Sequence, residues 1–247
     1  MDRMIYVAMT GAREALRAQS VVSHNVANSG TTGFRAVQHS LQSVPVAGGG
    51  FASRINATAA PDSWNFASGT MMQTGRDLDI AIQGDGWLAV QGPDGAEAYT
   101  RAGNLRVNPN GMLETANGHL VLGNGGPISL PPYQKLDIGG DGQVSIVPQG
   151  QKPNTIAEVD RLKLVNPNNA DLIQSGDGLF RLKDDAEAPA DPAIRIASGQ
   201  LEASNVSPAQ ALVEMIEISR RYEMQVRAMN NADENDRIAA QLMRLSG

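Results

Sequence analysis

Apolar residues recur at spacings of three and four at both ends of the chain, while between them they fall in short runs with a period of two, broken by turn residues. At the front, Ile5, Ala8, Ala12, Ala15, Leu16, Val22 and Val26 stripe one face of a helix. At the back, Leu212, Met215, Tyr222, Val226 and Met229 do the same. A stripe remote from the middle of the chain needs a partner, either the opposite end of the same chain or another subunit.

Capping and breaking signals set the extents of these helices. Asp2 can cap the first, and Ser29-Gly30-Thr31-Thr32-Gly33 can stop it, with Gly30 or Gly33 supplying a left-handed turn. This predicts a helix from about Arg3 to about Asn28. Ser207 is a good N-cap and Pro208 suits the first helical position, where its missing N–H removes nothing. No Gly or Pro then interrupts as far as Leu245, so about 38 residues, roughly 57 Å, can be helical. Positions 212, 215, 219, 222, 226 and 229 keep a heptad spacing with only Ser219 polar, a coiled-coil-like signal. Asn231, Asp233, Glu234, Asn235 and Asp236 interrupt the stripe before Ile238, Leu242 and Leu245 resume it.

From Met71 onward the pattern is that of strands. Leu78, Ile80 and Ile82 alternate ahead of Gly84-Asp85-Gly86, and Trp87 to Val90 runs into Gly92-Pro93-Asp94-Gly95, so a hairpin is expected here. Further runs lie at 98–102, 104–107, 112–115, 119–122, 135–138, 143–147, 160–165, 179–182 and 194–196, and Asn-Gly pairs mark turns among them. Residues 36–70 show no firm period and read as a linker or extended arm. The expected fold class is α+β. Helices from residues 1–35 and 201–247 form a coiled-coil-like helical domain, and residues 71–200 form a central antiparallel β domain.

Composition narrows the functional classes. With 4% aromatic residues, 26 Gly and 13 Pro among 247, the chain favours many tight turns over a bulky core. A net charge of −6, with no basic run interleaved with aromatics, argues against nucleic acid as a partner. Cysteine is absent, which excludes disulfides, thiolate zinc sites and a cysteine nucleophile. No stretch approaches the roughly 20 apolar residues of a membrane span, so membrane insertion is not expected. The broken apolar patch at Met4 to Met9 does not form a cleavable signal, so an exported chain keeps its N-terminus.

Candidate chemistry is sparse. His24, His39 and His119 lack metal-pair spacing. Gly84-Asp85-Gly86 and Gly139-Gly140-Asp141-Gly142 lack what a phosphate or calcium loop requires after them and read as turns. Asp77 and Asp79 share a strand face, and adjacent Arg76 makes a salt-bridged strand edge the simpler reading. No nucleophile meets a base, and no catalytic residue, metal site or cofactor is expected. Met215, Met224, Met229 and Met243 fit two readings, core filling and an adaptable interface.

Three blocks of the sequence resemble one family, the flagellar axial proteins of the rod and hook. The first runs from Ser23 to Arg35 and holds Asn25, Ala27, Asn28, Gly33 and Phe34 of the family's N-terminal signature. The second comprises Gly75 to Ile82, Gly86 to Val90 and Tyr99 to Gly103, similar to the central β module. The third is Gly199 to Val206, leading into a helix with Arg220-Arg221-Tyr222-Glu223. Phe34-Arg35-Ala36 and Val44-Pro45-Val46 look most like proximal-rod members, whereas distal-rod members carry a Phe-Lys-Arg type of run.

The resemblance implies a non-enzymatic subunit of the basal-body rod, a drive shaft for motor torque. It would be exported unfolded by the flagellar type III export apparatus and polymerised in the periplasm with itself and the other proximal and distal rod proteins. Ile5, Ala8, Ala12, Leu16, Val22, Val26, Leu212, Met215, Tyr222, Val226, Met229 and Leu242 are then the expected subunit interface. A secreted β-domain enzyme and a binding module with helical oligomerisation ends are the rival classes. Removing both helices spares a binding module and abolishes a rod.

Overall fold

The computed structural model describes residues 4–45, 55–151, 155–184 and 186–245, and the fold is α+β, with a helix at each end and a β-rich middle. The chain divides into a helical unit of residues 1–29, 35–65 and 206–247 and a β unit of residues 30–34 and 66–205.

In the helical unit, α1 spans Met4–Ala27 and α2 spans Pro208–Leu245. The expected cap at Asp2 lies outside the described residues. At the other end of α1, Asn28 Nδ2 donates to the His24 carbonyl at 2.9 Å and Ser29 Oγ to that of Val26 at 2.8 Å. These side chains satisfy carbonyls left without partners in the last turn. Positive φ falls at Gly33 and not at Gly30, well past the helix end. α2 starts at Pro208, with the Ala211 N–H bonded to the Ser207 carbonyl at 3.0 Å.

The helices pack antiparallel: Gly11 faces Gln225, and Val22 clusters with Ala211 and Ile218. Ala15, Ala18, Val26, Val206 and Met215 pack around that cluster. Along α2, Ala211, Ile218 and Ala232 are buried and Met215, Tyr222, Gln225, Val226, Ala228, Met229 and Ala239 are half-buried, and positions 211, 215, 218, 222, 225, 229 and 232 among them keep a three-four spacing. This face shares 215, 222 and 229 with the stripe read from sequence and has Val226 half-buried beside it, but Ala211 and Ile218 are buried in place of 212 and 219, which are exposed. Leu212 is the larger hydrophobe, yet small Ala211 allows the closer approach of α1.

Residues 37–64 also belong to this unit and, among the described residues, contain four short strands. Val37–Gln38 pairs with Ser63–Trp64, and Leu41–Pro45 pairs with Ile55–Ala59, both antiparallel. Every residue of Leu41–Pro45 is exposed. A strand with solvent on both faces is held by backbone pairing alone and leaves no hydrophobic period to read.

The β unit is antiparallel at every pairing among the described residues. A five-stranded sheet runs in the order Leu164–Val165, Trp87–Gln91, Glu97–Thr100, Phe180–Leu182, Leu172–Gln174. A second sheet joins Tyr133–Ile138, Gln143–Pro148 and Ala157–Arg161. The hairpin lies at Gly92–Gly95, between Trp87–Gln91 and Glu97–Thr100. Gly84 to Gly86 makes a corner, and Ile80–Gln83 pairs with the distant Arg195–Ser198. Ile80, Ala81 and Ile82 are all buried, because both faces of that strand are covered.

The core is mainly aliphatic, built on Ile80, Leu88, Val90, Leu113, Val121 and Val144. Phe66, Trp87 and Phe180 stack at its margin, with ring centroids 4.7 Å to 6.0 Å apart. Burial pushes the Tyr99 phenol well above its usual pKa, and its oxygen accepts the Ala188 N–H at 2.8 Å.

Arg181 ties two turns to the five-stranded sheet, reaching Asp177 at 2.7 Å and Asp94 at 3.4 Å. Its hydrogen bonds hold the Asp177 carboxyl below the usual aspartate range. The Ala96 N–H, and then the Arg181 charge, do the same for Asp94. A depressed folded-state value contributes stability above the ordinary aspartate range that is lost as pH falls through the depressed value. Arg181→Ala is therefore expected to lower the stability of the β unit at neutral pH and to flatten its loss on acidification, as read from urea midpoints across an acid series.

Candidate assembly site

The residues expected at an interface separate into three groups on the structure. Ala8, Ala12 and Val22 are buried; Ile5, Val26, Met215, Tyr222, Val226 and Met229 are half-buried. Leu16 and Leu212 lie off the shared face and are 51% and 53% exposed. The side chain of Leu242 lies outside the described residues.

Further apolar side chains, absent from that expectation, stand in solvent on the same faces as these two. On α1, Tyr6 is 67% and Met9 53% exposed; on α2, Val213 is 58% and Ile216 56%. At 100° per residue, Tyr6, Met9 and Leu16 share one side of α1, away from Val22 and Val26. Leu212, Val213 and Ile216 likewise lie opposite Ala211 and Ile218 on α2. The signal was in the sequence: both helices carry more apolar positions than one stripe holds.

The signature residues have separate physical roles. Asn25 presents its amide to Val37 as a strand would, Nδ2 donating to the Val37 carbonyl at 2.8 Å and Oδ1 accepting its N–H at 2.9 Å. That clamp holds the first strand of the 37–64 segment beside α1. Ala27 is exposed, and Asn28 closes the helix end.

Gly33 and Phe34 belong to the β unit, where three passages of the chain converge. The Gly33 N–H bonds the Glu202 carbonyl at 2.8 Å, and the Asn205 N–H bonds the Phe34 carbonyl at 3.3 Å. Asn205 Nδ2 donates to Ala67 at 2.9 Å, and the Gly69 N–H to Glu202 Oε1 at 2.8 Å. Gly33 has φ +69°, and a Cβ there would lie 2.3 Å from the Arg101 carbonyl carbon. Only glycine meets both conditions.

Beneath this junction lies a buried ion pair. Arg101 Nη1 meets Glu202 Oε2 at 3.1 Å, with the two side chains 4% and 0% exposed. Nη2 donates to the Gly84 carbonyl at 2.7 Å, and the guanidinium stands 5.6 Å from the Trp87 ring centroid. Arg101 and Glu202 fall inside the blocks Tyr99 to Gly103 and Gly199 to Val206, and neither is among the site residues expected from sequence. Their one visible signal was a charge at an inward position of a strand pattern.

Three family models match the chain in order. Residues 5–35 match the flagella basal body rod protein model, 81–146 the flagellar hook protein FlgE/F/G D1 domain, and 197–242 the flagellar basal body rod FlgEFG protein C-terminal model. The chain is 46% identical to the flagellar basal-body rod protein FlgF of Salmonella typhimurium and 42% identical to that of Escherichia coli, over 100% of each sequence in both cases. The chain belongs to the FlgF family of flagellar basal-body rod proteins. It is 33% identical to the FlgG of Bacillus subtilis, over 95% of the chain and 96% of that relative.

In this FlgF-family chain the first and last matched segments meet inside the β unit, Gly33 and Phe34 from one against Glu202 and Asn205 from the other. Glu202→Ala leaves the Arg101 charge buried without this carboxylate, and the expected cost is about 3–5 kcal/mol, read by urea unfolding of the β unit. Gly33→Ala is expected to unseat residues 30–34, seen as faster amide exchange at position 33. Wild-type protection there would contradict the assigned seat.

Proposed function

We propose that this chain is a structural subunit of the flagellar basal-body rod, in its proximal section, and that it polymerises through its terminal helices into the shaft that carries motor torque. The observation that carries the reading is the surplus apolar surface of α1 and α2. After the two helices have packed on one another, Tyr6, Met9 and Leu16 on one and Leu212, Val213 and Ile216 on the other remain in solvent. Covering such a side chain fully is worth about 1.5–3 kcal/mol. Neighbouring rod subunits, copies of this chain and other proximal and distal rod proteins, supply that cover. The three-four spacing of both stripes fits coiled-coil-like contact between helices.

Placement in the proximal section is supported by the sequence blocks around Phe34-Arg35-Ala36 and by 46% identity to the Salmonella FlgF against 33% to the Bacillus FlgG. The relatives are named as rod proteins, which supports a structural role and a place in the basal-body rod within the periplasm. No helix among the described residues is long and apolar enough to cross a membrane. Passage through the flagellar export apparatus belongs to the same reading.

Leu212→Asp combined with Ile216→Asp changes two side chains that are more than half exposed. The purified variant is expected to keep its helix content and thermal unfolding, while complementation of a strain lacking the protein fails to restore rods and swimming. Normal rods built with this variant would refute assembly through that face.

A further inference from the structure

Three Asn-Gly pairs occur in the β unit, at Asn110-Gly111, Asn117-Gly118 and Asn124-Gly125. Sequence alone ranks them equally for deamidation, because glycine offers the least hindered backbone nitrogen. All three asparagines are exposed, so water reaches each. The fold distinguishes them by where the glycine sits in its turn. The Gly111 N–H donates to the Asn108 carbonyl and the Gly118 N–H to the Thr115 carbonyl, each at 2.9 Å. Each of these glycines closes its turn and has a positive φ, +79° and +88°.

Gly125 is different. Asn124 and Gly125 form the two-residue tip between Leu122–Gly123 and Gly126–Pro127, where Gly123 pairs with Gly126. The N–H of Gly125 meets no hydrogen-bond acceptor among the described residues, and, as at Gly118, nothing beyond its two chain neighbours lies within 4 Å of a Cβ built at this position. The nitrogen is free to lose its proton, and there is room for a ring to close.

We propose that Asn124 is the deamidation site of this protein. The deprotonated Gly125 nitrogen attacks Asn124 Cγ, a C–N bond forms, and the side-chain nitrogen leaves as ammonia, giving a succinimide. Water then opens either carbonyl of the ring, producing aspartate or isoaspartate. The net exchange is water for ammonia, with no oxidant or enzyme. At Asn110 and Asn117 the same attack must first break the turn hydrogen bond, which slows it by about threefold to tenfold. The product matters locally. The carboxylate of Asp160 lies against Gly123, with Oδ2 2.3 Å from where a Cβ there would stand, so a new charge at 124 arises one residue along the chain from an existing one. Isoaspartate also lengthens the backbone of a two-residue tip whose pairing sets the hairpin.

The test uses the full-length protein aged at mildly alkaline pH, with peptide mass spectrometry to follow amide loss at each site and chromatographic separation of the isoaspartate form. Asn124 is expected to convert severalfold faster than Asn110 and Asn117 in the folded protein. In urea the three rates should converge, since the turn hydrogen bonds are gone. Equal rates in the folded protein, or faster loss at Asn110 or Asn117, would overturn the assignment. So would an Asn124 preference that persists unchanged in urea, which would place its cause in local sequence.

Discussion

The Arg101–Glu202 pair is the constraint on which the β unit's junction rests. Two full charges are withdrawn from water, and each is tolerable only while the other is in place. Such a pair adds little net stability beyond what apolar residues of the same size would give, but it penalises any arrangement that separates its members. Here the penalty falls where specificity is needed. Glu202 also receives the Gly69 N–H on its carboxylate and the Gly33 N–H on its carbonyl, so one residue fixes passages of chain that are far apart in sequence. Shifting the last strand by a single residue would break all three interactions together.

The helical unit follows a different economy of contacts. One face of α1, with Ala15, Ala18, Val22 and Val26, meets α2. Another presents Asn25 to Val37, and buried Glu14 lies 3.9 Å from His39. A third face keeps Tyr6, Met9 and Leu16 in solvent. A helix with apolar residues on more than one side is not saturated by a single partner. That property follows from residue spacing together with the choice of face that packing makes.

Much of the fold was legible in the sequence because periodicity records burial. The limits of α2 follow from Ser207, Pro208 and the absence of any breaker, and the Gly92–Gly95 hairpin from its turn residues. The strand at 41–45 was illegible for the converse reason: with no burial there is no period. The pairing of Ile80–Gln83 with Arg195–Ser198 was illegible because it joins segments more than a hundred residues apart, and turn chemistry reports only on neighbours. At the candidate site, α2 buries Ala211 and Ile218 where the sequence stripe has 212 and 219. Sequence favours the largest hydrophobe, Leu212, whereas close approach of two helices favours alanine at 211.

The sequence by itself determined where the helices start and stop, that the middle would be antiparallel, and that each helix carries an apolar stripe in need of a partner. These are properties of local conformation and of composition along a face. Only the tertiary structure decided which apolar residues face inward and which remain in solvent, because that depends on the distance at which two surfaces meet. It also decided that Gly33, Arg101 and Glu202 form one junction, because a charge in a strand acquires its meaning from the opposite charge that the fold brings to it.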